Sequence, residues 1–340
     1  SAWLVYRIGD TQAASKVRQF SRWLHNPKLD AGVVYHALAS HVLLEWQTNP
    51  LEIALDTSVV WNRYVIVRLA AIYRGRALPL AWTVLEQSSA SVSFANYAPV
   101  LHTASALIPS HCTVVLLADR GFVDVALMQL AVELGWHFTL RAKTSIIVYR
   151  AFKPSCPLGL LVPAQGQIRL YPMVQVTERR FGPVHLALGH VRTRHSYETW
   201  ALISDRPTTL YTFEEYGRRF DIEENFLDDK SAGFQLSQSE LRSPEALARL
   251  CLILAVATLY LVSTGTAITA MNLRLLVDPH WHRGLSYLQI GWRWVVYALT
   301  HATKLLTFLW LEPGLDPEPV FASRRQARTP TFAFSAIYID

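Results

Sequence analysis

Five short apolar runs between residues 51 and 143, two of them closing on an aspartate, most constrain what this chain can fold into. LEIALDTS (51–58) carries an acid near its end, and RYVIVRLAAIY (63–73) is apolar and β-branched. Arg74 and Gly75 then supply a turn, and ALPLAWTVLE (77–86) returns. Branched side chains suit a pleated, half-buried surface, so these three runs predict a meander. A helix over Phe94 to Leu107 follows, then CTVVLLADRGF (112–122), a buried type of strand ending at Asp119. A second helix at about 123–134 and the strand WHFTLRAK (136–143) complete a β-β-β-α-β-α-β order. That order specifies an α/β mixed sheet with helices attached.

The flanks read differently. Residues 12–26 form a basic amphipathic helix with Val17, Phe20, Trp23 and Leu24 on one side, stopped by Pro27. A second helix over about Val33 to Trp46 runs to a break at Pro50, so residues 1–50 are a helical lead-in. From 144 to about 206 the helical period vanishes and short apolar runs alternate with Pro and Gly, which predicts a β-rich insertion. Helices resume near Phe213, at 244–262 and at about 285–310, before a tail with a basic cluster at Arg324, Arg325 and Arg328. Leu250 to Ile268 runs 19 residues without a charge, the length of a bilayer span, but it stands alone and reads as a buried core helix.

With 51% apolar and 17% charged residues, this is a folding chain. A net charge of +6 suits a polyanionic partner without demanding one. Three distant cysteines with no CxxC pair argue against a zinc site or a disulfide framework. No signal-peptide pattern opens the chain, which sets the expectation of a cytoplasmic, nucleoid-associated protein.

The chemistry-bearing residues sit at strand ends. Asp56 in ALDTS and Asp119 in LLADRGF would share one rim of a mixed sheet. Two carboxylates on adjacent strand ends repel unless a cation lies between them, and magnesium accepts such hard oxygen ligands. Each acid equally suits a turn-capping role, and for the pair both readings stand. The third element is YGRRFDIEENFLDDK (216–230), where Tyr216, Arg219, Glu223 and Lys230 are spaced by 3, 4 and 7 residues. At about 100° per residue they fall near one line along a helix. Phe213, Phe220 and Leu227 form an adjacent apolar stripe that would seat the helix. A solvated, salt-bridged helix face accounts for the same residues when they are taken alone.

The spacing Tyr-(2)-Arg-(3)-Glu-(6)-Lys, placed after Asp56 in LDTS and Asp119 in ADRGF, resembles the signature of the insertion-sequence 4 family of DDE transposases. The resemblance extends over residues 12–265 and takes in Arg141 and Lys143 of LRAKTS and Trp200 of WALISDRP. It implies an RNase H-like mixed five-stranded sheet, with a β-rich insertion between the second Asp and the Glu and a helical C-terminal region. The expected divisions are 1–50, core 51–143, insertion 144–210, core 211–265 and C-terminal region 266–340. It further implies that Asp56, Asp119 and Glu223 are catalytic and hold two Mg2+ or Mn2+ ions. Such ions would serve cleavage at transposon ends and transfer of the freed 3′-hydroxyl into target DNA. Tyr216, Arg219, Lys230, Arg141 and Lys143 would contact the DNA, and Trp200 would stack on a flipped base, although a core tryptophan explains it as well. The implied partners are double-stranded DNA and a second copy of the chain, with no membrane. The alternatives are a metal-dependent nuclease on the same fold and a domesticated, non-catalytic DNA-binding protein.

Overall fold

A computed structural model describes residues 12–44, 46, 50–192, 196–239, 241–312, 314, 316–320, 334 and 336–339. The tail cluster of Arg324, Arg325 and Arg328 lies outside them. Helices α1 (Ala13–Leu24) and α2 (Ala31–Leu43) precede the meander β1 (Leu51–Val60), β2 (Tyr64–Tyr73) and β3 (Arg76–Glu86). The β1–β2 turn places Trp61 and Asn62 at positive φ, and the β2–β3 turn does the same with Arg74 and Gly75. That pair of left-handed residues matches the twist of a tight hairpin. Helix α3 (Phe94–Leu107) then crosses over to β4 (Val114–Ala118), which pairs parallel with β1. Helix α4 (Val125–Glu133), capped by the Asp124 side chain on the Ala126 N–H, leads to β5 (His137–Arg141), parallel to β4.

The expected five-stranded RNase H-like sheet with a set-apart insertion is overturned. The strands of the described residues make one mixed sheet of eleven, ordered β3-β2-β1-β4-β5-β10-β9-β8-β6-β7, with β11 on β8. The added strands are β6 (Ile147–Tyr149), β7 (Cys156–Pro157), β8 (Gln167–Val176), β9 (Phe181–Arg192), β10 (Tyr197–Ser204) and β11 (Ala336–Ile339). The physical reason is the outer edge of β5. Its backbone donors and acceptors would stay unpaired at a five-strand boundary, and β10 satisfies them through Leu202–Arg141, Ile203–Leu140 and Ser204–Thr139. A period-two pattern reveals a strand but not which edge it joins.

Helices α5 (Tyr211–Gly217) and α6 (Asp221–Leu227) lie on the sheet, and α7 (Pro244–Ala270) packs against β3 and α8 (Tyr287–Thr300). Helix α8 ends at Thr300, well short of the expected 310. Among the described residues α7 alone is long and apolar enough to cross a bilayer, and most of its apolar stretch is buried in the fold. Some of its hydroxyls are bonded: Thr266 donates to the Val262 carbonyl at 3.1 Å, and Ser263 accepts the Trp310 N–H at 2.7 Å. Two glycines let α7 and α8 touch backbone to backbone. A Cβ on Gly265 would sit 1.9 Å from the Tyr287 carbonyl oxygen, and one on Gly291 equally close to that of Leu261.

Gly265→Val is therefore expected to force the two helices apart and cost about 1–3 kcal/mol. Thermal denaturation checks this; an unchanged midpoint would mean that the close approach carries no stability.

Candidate functional site

The segment expected as one regular helix changes pitch as it crosses the sheet. Helix α5 gives way to a 3-10 turn at Arg218–Phe220, then α6, then a wider π turn at Asp228–Ala232. Tightening at residues 218–220 shifts the phase of the helix beyond it. Leu227, expected in the seating stripe, is exposed, and Ile222 and Phe226 are buried instead. Tyr216, Arg219 and Lys230 nevertheless reach β1 and the end of β4.

The parallel register pairs Leu55 with Ala118, so Asp56 and Asp119 come next, at the same level on adjacent strands. Arg219, almost wholly buried, donates from Nη1 to Asp56 Oδ2 at 3.0 Å and from Nη2 to Glu223 Oε1 at 2.7 Å. Asp56 Oδ1 accepts the Thr57 N–H at 2.8 Å. Tyr216 donates its hydroxyl to Asp119 Oδ1 at 3.4 Å. Lys230 Nζ donates to the Val59 carbonyl at 2.7 Å. Burial pushes the Asp56 carboxyl above the ordinary aspartate range, Arg219 and the Thr57 N–H oppose that rise, and the Glu223 and Asp119 charges add to it. Burial likewise raises Tyr216 and lowers Lys230. Residues separated by more than 160 positions thus meet at one rim, with a guanidinium as the shared cation.

The expectation of two Mg2+ or Mn2+ ions on Asp56, Asp119 and Glu223 is corrected by this arrangement. Among the described residues no group of three or more His, Cys, Asp or Glu side chains is placed to hold a metal ion. Arg219 takes one oxygen each from Asp56 and Glu223, and the Tyr216 hydroxyl engages Asp119. The charge compensation that a cation would supply comes from the protein itself.

The remaining candidates divide. Trp200 is buried: its ring meets Tyr216 edge-on at 5.1 Å and stacks on Phe220 at 5.8 Å between centroids. It belongs to a second apolar cluster with Ile168, Leu170, Phe213 and Tyr216, which fastens α5 over the added strands. Arg141 lies over the Trp200 ring and binds Glu198 at 3.1 Å. Lys143 is exposed at the end of the same stretch.

Several buried ions escape a reading of the sequence. Arg68 and Asp229, both essentially inaccessible, pair at 2.7 Å, and Arg68 also donates to Asn225 Oδ1 at 2.6 Å. Arg76 meets Asp228 at 3.1 Å, Arg218 binds Glu52, and Arg206 meets Glu215 at 2.6 Å. One signal is present in the chain: Arg68 interrupts an otherwise apolar strand, and a charge so placed needs a partner.

No known family model matches this sequence, and no curated protein matches it. Among solved structures, the chain is similar to a piggyBac transposase in a synaptic complex with hairpin DNA. Identity is 8% and the TM-score 0.40, covering 93% of this chain and 69% of that one. It is also similar to the Marinitoga piezophila Argonaute bound to a 5′-OH guide RNA, at 14% identity and a TM-score of 0.26, over 62% of this chain and 30% of that one. Likeness this remote assigns no family.

Breaking the buried ion pair should cost more than replacing it. Arg68→Met alone is expected to destabilise by about 3–5 kcal/mol, and adding Asp229→Leu should recover most of that loss. Chemical denaturation of both variants checks the pair; equal stability would show that Asp229 does not depend on Arg68.

Acidity offers a second check. Burial, partly relieved by Arg76 and Arg218, holds Asp221 at about 7; burial, partly relieved by Arg76, holds Asp228 at about 6. Both exceed the unfolded-chain value of about 4, so between these values the folded state binds more protons, and stability falls as pH rises. The thermal midpoint should drop from about pH 5 to about pH 8, and Asp221→Asn should flatten that slope. A midpoint that climbs over this window would contradict the assignment.

Proposed function

We propose that the chain is a DNA transposase of the insertion-sequence 4 type, which cleaves phosphodiesters at element ends and transfers the freed 3′-hydroxyl into target DNA. The observation that carries this reading is Arg219 gathering Asp56 and Glu223 at the rim where Tyr216 reaches Asp119. Those residues are the ones the signature spacing singles out, and they come from three separate stretches of chain.

In the proposed chemistry, water oxygen bonds to phosphorus and the bond from phosphorus to the 3′-oxygen breaks. A rim carboxylate, with Asp119 the best placed, takes the water proton and passes it to the departing oxygen, which leaves as the 3′-hydroxyl. In the second displacement that hydroxyl loses its proton to the carboxylate, and its oxygen bonds to a target phosphorus. The bond from that phosphorus to the target 3′-oxygen breaks, and that oxygen takes the proton. Lys230 supplies positive charge at the phosphate, while Arg219 holds the Asp56 and Glu223 carboxylates in place. Arg141 and the exposed Lys143 are proposed to hold flanking phosphates, while Trp200 supports the site from beneath by packing on Tyr216 and Phe220. Two copies on double-stranded DNA are the proposed working assembly.

A second reading is favoured by the same bridge. Because Arg219 pairs with both Asp56 and Glu223 within the fold, a non-catalytic DNA-binding protein would keep these residues for stability alone. Duplexes carrying the DNA that flanks the gene separate the two. Asp119→Ala is expected to lower their cleavage by about 100-fold or more while leaving binding intact. If the unaltered protein binds such duplexes without cutting them, the non-catalytic reading replaces the transposase.

A further inference from the structure

Far from the acid rim, β6, β8 and β9 border a pocket of about 500 Å³ whose lining includes Tyr149, Arg150, Lys153, Met173 and Arg180. In the sheet order these strands lie three to five places beyond β4. No Asp or Glu lines the pocket, and its three cations make no ion pair among the described residues. Arg68, Arg76, Arg218 and Arg219, by contrast, are each matched to an acid. Aromatic rings orient the pocket's guanidinium groups without neutralising them. Arg180 lies 4.5 Å from the centre of the Tyr149 ring, and Arg150 lies 5.8 Å from that of Tyr171. The buried Nε of Arg150 has no acceptor.

Beside the pocket, the turn after β6 presents Phe152 fully to solvent at φ +58°. Met173, Thr177 and Arg180 are also left-handed, so four of the ten non-glycine residues at positive φ among those described cluster here. Such conformations are disfavoured for residues with a Cβ and gather where a fold presents side chains for use. An exposed ring next to unmatched cations is the arrangement that holds an unstacked base and its phosphates.

We propose that this pocket binds the phosphodiester backbone of a single-stranded DNA segment, with the Phe152 ring stacked on one base. The proposal rests on DNA being the substrate, as in the function proposed above. It adds a second contact region that the signature residues do not form.

The test is fluorescence anisotropy with a labelled oligothymidylate of about 12 nucleotides, within the usual site size. Phe152→Ala, at a position with no packing to lose, should weaken binding about tenfold. That difference should vanish on an abasic oligonucleotide. Lys153→Gln and Arg180→Gln should each lower the slope of log affinity against log salt by about 0.7. If the unaltered protein binds and all three variants match it in affinity and slope, the pocket is overturned while the DNA reading survives. If the unaltered protein binds neither this oligonucleotide nor duplex DNA, both fall together.

Discussion

Asp56 and Glu223, one from a strand and one from a helix, direct their carboxylates at a single guanidinium, that of Arg219, which is almost wholly buried. A guanidinium stays charged under any physiological condition and presents a rigid fork of donors, so it can engage two carboxylates at once. Removing it would leave neighbouring negative charges with no compensation beneath a helix that must stay seated. Beside this contact Tyr216 approaches Asp119 and Lys230 reaches the Val59 carbonyl. Glu52 with Arg218, Arg68 with Asp229 and Arg76 with Asp228 repeat the device along the same seam.

The added strands serve the site as well as the sheet. By pairing with β5, β10 brings Trp200 under the helix, where it packs with Phe213, Tyr216 and Ile168 into a core of its own. The helix is therefore anchored twice, through ion pairs to β1 and β2 and through apolar contact to β8, β9 and β10. Burying a large aromatic beneath Tyr216 restricts the tyrosine ring and keeps its hydroxyl aimed at Asp119.

Charge is distributed unevenly across the sheet. At the rim of β1 and β4, Arg219 is shared between Asp56 and Glu223, and Asp119 accepts from the Tyr216 hydroxyl. At the far edge, Arg150, Lys153 and Arg180 remain unmatched around a pocket.

Much of the architecture is legible in the chain itself. The strands of residues 51–86 and the helix Phe94–Leu107 are written in their apolar patterns, and so is the strand that ends just before Asp119, whereas Asp56, expected at a strand end, lies within β1. These features depend on local period and chain order, which a linear sequence records directly. The joining of β10 to β5, the exposure of Leu227 and the pairing of Arg219 with both acids were decided by the tertiary structure. Backbone edges pair through groups common to every residue, a single 3-10 turn alters the phase of every helical residue beyond it, and an arginine's partners come from wherever the fold brings acids near. None of these leaves a periodic trace, so the local elements could be read from the chain, while the breadth of the sheet and the pairing of Arg219 with Asp56 and Glu223 could not.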